Sequence, residues 1–241
     1  MANDDNPILR RDFLVGAGTA VAAGLASTSA EAQTNTPAAP VASTTATAVP
    51  AEGILTLTPA EQAFFAAAVD TFIPADELTP SGSDCGVVVF IDRQLAGAWG
   101  SGAKMYRSGP FRKGKPEQGY QLPLTPREFF TAGIVATNEW SRKTYRKDFD
   151  RLGPKEREAA LKVLESGKAE LTDFDGKQFF EALLTITMEG FFADPIYGGN
   201  RNKAGWKMVG YPGLPAVYTN LIDEYRNKRY SVEPQSIADF S

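Results

Sequence analysis

Histidine is absent from the 241 residues, and cysteine occurs once, at Cys85. Without an imidazole there is no Ser-His-Asp or Cys-His nucleophile, no His-ligated zinc or haem, and no C-x-x-C-H haem attachment. A lone thiol can neither close an internal disulfide nor hold an iron–sulfur cluster. Cys85 precedes Gly86 and an apolar run, so it is expected to be a small buried residue, with a free thiol as the alternative. A massed positive charge is lacking too. The 25 Lys and Arg against 29 Asp and Glu leave a net charge of −4, and the basic residues are scattered, so nucleic acid is not an expected partner. No strand-like alternation of any length and no internal repeat is present.

What is present begins with an export signal. Polar residues lead to Arg10-Arg11-Asp12-Phe13-Leu14, and Val15 to Ala26 is almost entirely Val, Ala, Gly, Leu and Thr. An arginine pair followed at +2 and +3 by Phe and Leu is the pattern read by the twin-arginine translocase. The apolar stretch is short and Gly/Ala-rich for a membrane span. Ala30 and Ala32 offer the small side chains a signal peptidase requires, which puts the mature start at Gln33; an uncleaved anchor is the alternative. Low cysteine use suits a protein that folds in the reducing cytoplasm before transport. Residues 33–53 are mainly Ala, Thr, Pro and Ser with scarcely any charge and read as a flexible linker. Residues 54–241 then form one domain large enough for a hydrophobic core.

That domain reads as all-α, an irregular bundle of about five or six helices with long ordered loops. Thr58-Pro59-Ala60-Glu61 and Thr125-Pro126-Arg127-Glu128 are capping boxes with proline at the first helical position. Behind the first, Phe64, Phe65, Ala68, Val69, Phe72 and Ile73 repeat at helical spacing up to Pro74; behind the second, Phe129, Phe130, Ile134, Thr137 and Trp140 make a buried face. Asp84 is placed to cap a helix carrying Val87, Val88, Phe90, Ile91 and Leu95 and ending at Gly97. Helices are also expected over Pro154–Ser166, stopped by Gly167, and over Gly176–Phe192, with Phe179/Phe180, Leu183/Leu184, Thr187/Met188 and Phe191/Phe192 on one side. A last helix would align Val217, Leu221, Ile222 and Tyr225.

Several motifs suggest chemistry and fail on inspection. Gly109 to Lys115 matches seven positions of a phosphate-binding loop, but Pro116 stands where the magnesium-binding hydroxyl belongs and no strand precedes it. Gly16-x-Gly18 lies inside the export signal. Asp173-Phe174-Asp175-Gly176 lacks the remaining acidic ligands of a calcium loop and suits a helix cap instead. Most carboxylates sit beside Lys or Arg, as solvated helix faces do. Glu189, close to an apolar stripe, stands apart: it either pairs with Arg201 or Lys207 or acts catalytically. Neither the sequence's cofactor motifs nor its metal-ligand patterns place a cofactor or metal in this chain.

Two segments are too rich in special residues for plain connections. Residues 96–124 mix six glycines with Trp99, Tyr106, Phe111 and Tyr120 and with Lys104, Arg107, Arg112, Lys113 and Lys115. The second runs Asp194-Pro195-Ile196-Tyr197-Gly198-Gly199-Asn200, then Gly205-Trp206-Lys207-Met208-Val209-Gly210-Tyr211-Pro212-Gly213. It combines glycines and Asn that permit positive φ with two broad aromatics. Such a loop is either wrapped on its own core or offered to a partner, and the residues alone leave both open.

The block from Asp194 to Gly213, with Gly86–Gly97 and Tyr106–Phe111, resembles the gluconate 2-dehydrogenase subunit 3 family, the small subunit of membrane-associated, flavin-dependent sugar-acid dehydrogenases. The similarity covers most of Leu55–Tyr225; the tail from Arg229 is outside it. The resemblance implies a heterotrimer on the periplasmic side of the cytoplasmic membrane: a large FAD-binding subunit, a multihaem cytochrome c carrying haem c, and this small subunit. The large subunit would oxidise D-gluconate to 2-dehydro-D-gluconate, with electrons passing through the cytochrome to ubiquinone. Large subunits of the family commonly lack a signal, so Arg10, Arg11, Phe13 and Leu14 would serve both chains. The small subunit itself would be non-catalytic, stabilising and escorting the flavoprotein. Candidate partner-facing residues are Asp194, Pro195, Tyr197, Gly198, Gly199, Asn200, Gly205, Trp206, Gly210, Tyr211, Pro212 and Gly213, with Tyr106 and Phe111. A stand-alone exported enzyme using carboxylates, or a small-molecule binding module, is the alternative class.

Overall fold

Both capping boxes close as their sequences require. In the computed structural model, which describes residues 53–112, 114–115, 118–215 and 217–240, Thr58 Oγ1 accepts the Glu61 N–H at 3.3 Å while Glu61 Oε2 accepts the Thr58 N–H at 2.9 Å. Thr125 and Glu128 repeat the exchange at 3.3 and 2.8 Å. The export signal at Arg10, Arg11, Phe13 and Leu14, the cleavage positions Ala30, Ala32 and Gln33, and all of the linker but Gly53 lie outside the described residues.

Helix α1 spans Pro59–Phe72, α2 Val87–Ala96, α3 Pro126–Tyr145, α4 Pro154–Glu165 and α5 Gly176–Phe192. Two short helices follow, α6 at Ala204–Val209 and α7 at Ile222–Tyr225. Short 3₁₀ turns lie at Phe149–Arg151, Pro195–Tyr197, Arg201–Lys203, Thr219–Leu221 and Ile237–Phe240. Among the described residues no strand forms; an isolated parallel bridge joins Gly213 to Gln235. The domain is all-α, as its periodicity predicts.

α5 is the hub, packing against α1, α2, α3 and α4. Its Phe179, fully buried, lies 6.1 Å from Phe64 and 6.2 Å from Phe129, and Phe64 meets Phe149 at 4.9 Å. Burying each such ring contributes about 1.5–3 kcal/mol. Two glycines set the helix spacing. A Cβ at Gly133 would stand 2.2 Å from the Phe179 ring, and one at Gly190 would stand 2.8 Å from Phe90, so α3 and α2 approach α5 only because those side chains are missing. Cys85 is buried in this core.

Three local expectations need correction. Asp84 does not cap α2: Gly86 occupies the cap position at φ 81°, and Asp84 is taken up by Ser81, whose hydroxyl donates to its carboxylate at 3.0 Å. The expected last helix is broken into a 3₁₀ turn and a single α-turn, because Ile222 and Val217 find no core to bury against and remain exposed. Met188 leaves the apolar side of α5 and is exposed, whereas Ile186 and Gly190 are buried.

Asp92 has a role that no local pattern announces. It is buried on α2, and its carboxylate accepts three consecutive backbone N–H groups, from Leu55 at 2.7 Å and from Thr56 and Leu57 at 2.9 Å. Arg127 adds a hydrogen bond to the Thr56 carbonyl. The chain entering the domain is thereby fixed before α1 begins.

Candidate partner-binding surfaces

The residues from Asp194 to Gly213 wrap the C-terminal end of α5 and the start of α2. Asn200, fully buried at φ 47°, organises the turn: its Nδ2 donates to the Ala193 carbonyl at 2.9 Å and its Oδ1 accepts the Gly205 N–H at 2.8 Å. Asn is suited to this left-handed position. A Cβ at Gly199 would fall 2.1 Å from the Gly190 carbonyl oxygen, and one at Gly205 2.4 Å from that of Phe191. The Arg201 N–H donates to the Cys85 carbonyl at 2.9 Å, which explains why the Gly86–Gly97 and Asp194–Gly213 segments go together. Trp206 is 6% exposed, and its Nε1 donates to the Phe192 carbonyl at 2.8 Å.

The segment therefore has two sides. Gly199, Asn200, Gly205, Trp206 and Gly213 face inward and hold the fold, so they are not themselves a contact surface. Tyr197 is 52% and Tyr211 47% exposed, with Met208 and Val209 exposed beside them. Tyr211 stands edge-on to Trp206 at 5.2 Å, so a buried ring braces an exposed one. Asp194, Pro195, Gly198 and Pro212 lie between, half-buried, and Gly210 is exposed at φ 70°. Tyr106 and Phe111, on the other long loop, are exposed, Tyr106 at 80%.

The sequence reading missed the part played by the tail. Gln235 pairs with the turn at Gly213, its carbonyl accepting from Leu214 at 2.8 Å and its N–H donating to Pro212 at 3.0 Å. Asp194 joins both pieces: Oδ1 accepts the Ile196 N–H at 3.0 Å and Oδ2 the Ile237 N–H at 2.9 Å. Asp239 bonds Lys203 at 2.6 Å, and burial, which would raise its carboxyl, is outweighed by Lys203 and the Ser236 N–H, so it sits below its usual range. The only sequence signal for this clasp is the pair of acids, Asp194 and Asp239, and neither has a local partner of opposite charge to announce it.

A groove of about 800 Å³ runs between α5, the start of α3 and the loop ending at Leu122. Its floor is aromatic: Tyr120 stacks on Phe129 at 4.2 Å and 5°. Burial and the Glu128 charge push the Tyr120 phenol up to about 12. Glu189 stands on the wall. The expected pairing with Lys207 or Arg201 does not form, because Lys207 reaches the tail's Glu233 at 2.7 Å and Arg201 turns toward Gly86. Glu189 is open to solvent on one side, yet desolvation by the groove wall raises its carboxyl above the ordinary glutamate range. Asp175 caps α5 by accepting the Gln178 N–H at 3.1 Å. Among the described residues no cluster of acids and cysteine is placed to hold a metal ion, and no helix is long and apolar enough to cross a membrane.

The sequence profile of the family described as gluconate 2-dehydrogenase subunit 3 matches residues 59–213, from the first residue of α1 through the whole Asp194–Gly213 segment. The chain belongs to that family. No curated protein and no solved structure matches it. The match ends at Gly213, where the tail's Gln235 crosses, so the clasp from Pro234 onward lies outside the family profile. A flavin dinucleotide and haem c, the groups the family resemblance implies for the complex, each need partners that can be compared with this chain's own residues. A flavin dinucleotide carries a pyrophosphate, whereas the groove lining has more carboxylates, Asp173, Asp175, Glu181 and Glu189, than ammonium groups, Lys115 and Lys177, among the described residues. Haem c attachment requires two cysteines and a histidine, whereas the chain has one buried cysteine and no histidine.

Proposed function

We propose that this chain is the non-catalytic small subunit of a membrane-associated, FAD-dependent gluconate 2-dehydrogenase on the periplasmic side of the cytoplasmic membrane. The family match over the folded domain carries this reading. The catalytic partner is a large FAD-binding subunit that converts D-gluconate to 2-dehydro-D-gluconate, and a multihaem cytochrome c passes the electrons to ubiquinone. The small subunit stabilises the flavoprotein and escorts it through the twin-arginine translocase by means of Arg10, Arg11, Phe13 and Leu14. Export of folded proteins is the route a flavin-loaded partner requires, and the residue inventory, without histidine and with one buried thiol, suits binding better than redox chemistry.

Affinity purification of the chain from membranes of its own cell tests this. The expected eluate contains a large polypeptide, a flavin absorbance band and gluconate oxidation with an artificial acceptor, while the chain expressed alone is colourless and inactive. Flavin or turnover from the single chain would overturn the non-catalytic role, and an eluate without a flavoprotein would overturn the subunit role.

A further inference from the structure

The groove is a surface feature that the wrapping of Asp194–Gly213 leaves unused. It follows α5 from its cap, Asp175, through Gln178, Ala182 and Thr185 to Glu189. Fourteen residues of helix give a length of about 21 Å, enough for about six residues of extended chain. Its floor, with Tyr120, Phe129, Phe174 and Ile186, is suited to apolar side chains.

The rim carries a sign. Asp173, Asp175, Glu181 and Glu189 line it against Lys115 and Lys177 among the described residues, so carboxylates exceed ammonium groups by two. Lys177 is already turned toward Glu181, at 3.9 Å. Glu189 has neither a hydrogen bond nor an ion pair among the described residues, on a wall that takes part of its surface from water. A sugar acid is an anion, and a rim whose carboxylates outnumber its ammonium groups is poorly matched to it. The complement of an apolar trough with an excess of carboxylates is a polypeptide carrying apolar side chains and a cation.

We infer that the groove along α5 receives a segment of the large dehydrogenase subunit, with apolar side chains on the Tyr120–Phe129 floor and a Lys or Arg paired with Glu189. This rests on the small-subunit reading and adds a partner contact on a surface apart from Tyr197 and Tyr211. Pairing would give Glu189 the opposite charge that no described residue of this chain supplies.

The test uses the assembled complex, with a photo-crosslinking amino acid genetically incorporated in place of Thr185, an exposed position on the groove wall. Illumination should join this chain to the large subunit, through a peptide containing Lys or Arg. Glu189→Gln should weaken assembly about tenfold and Glu189→Lys further, while the melting temperature of the isolated subunit is unchanged or raised. An intact complex in which position 185 fails to crosslink, or crosslinks only within its own chain, overturns the groove assignment and leaves the subunit reading standing. So does assembly of both Glu189 variants with unaltered affinity, or saturable binding of gluconate by the isolated subunit that is lost in Glu189→Gln. If the unaltered chain captures no dehydrogenase at all, the small-subunit reading fails, and the groove assignment with it.

Discussion

Asn200 holds the Gly205 N–H on its Oδ1 at 2.8 Å while sitting fully buried in the left-handed region at φ 47°. The side chain does the work of backbone pairing where the chain reverses between α5 and α6. Asn200→Ala leaves the Gly205 N–H and the Ala193 carbonyl without partners inside the fold and places a less tolerant residue at positive φ. A loss of about 2–4 kcal/mol in urea unfolding is expected. A variant as stable as the parent chain would contradict the role given to Asn200.

Trp206 and Tyr197 should separate structure from contact. Trp206→Ala removes a buried ring and the bond to the Phe192 carbonyl, and a loss of about 3–5 kcal/mol follows from comparable truncations. Tyr197→Ala, at an exposed site, should shift stability by no more than about 0.5 kcal/mol while lowering recovery of the flavoprotein in co-purification. Equal stability losses in both would show that the exposed ring also belongs to the fold.

Much of this was legible in the residues. The capping boxes at Thr58 and Thr125 and the stripe of α5 are local signals, and the structure places them, Met188 excepted, where the periodicity does. Asp92 was not legible, because its three donors lie more than thirty residues upstream and a lone aspartate between Ile91 and Arg93 reads as a surface charge. Gly86 replaced Asp84 as the cap because the Gly198 carbonyl passes too close for any side chain, a constraint set by a loop a hundred residues away. The dense glycines of Asp194–Gly213 did mark a special loop. Which side of it faces out is decided by the Gly190 and Phe191 carbonyls and by the tail, none of which a local pattern contains.

Gly133→Ala tests the close crossing of α3 and α5. The added methyl would meet the Phe179 ring at 2.2 Å, and overpacking at such a site costs about 1–3 kcal/mol. Gly210→Ala, with nothing within 4 Å but φ 70°, should cost only the conformational penalty of about 1–2 kcal/mol. Thermal unfolding of the two variants, read with the Phe179 environment by near-ultraviolet circular dichroism, should show disturbed aromatic packing for Gly133→Ala alone.

Glu61 ties α1 to α3, accepting the Thr131 hydroxyl at 2.7 Å as well as the Thr58 N–H. Burial would raise its carboxyl, but the bonds from Thr131 and Thr58 and the Arg127 charge outweigh it, so the group sits below the ordinary 4.5. A lowered carboxyl contributes stability that is fully present above the unfolded value and disappears as pH falls through the folded one. The stability difference between the parent chain and Glu61→Ala should be about 1 kcal/mol at neutral pH, solvent screening included. It should shrink as pH drops below 4.5. A difference independent of pH would remove the charge from the account.

The escort role depends on one signal serving two chains, so the compartment of the flavoprotein is the direct readout. With Arg10→Lys/Arg11→Lys in the small subunit, cell fractionation should find both the small subunit and the large flavin-containing subunit in the cytoplasm, and gluconate oxidation should disappear from the periplasmic face. A flavoprotein that reaches the periplasm while the altered small subunit stays behind would contradict the account.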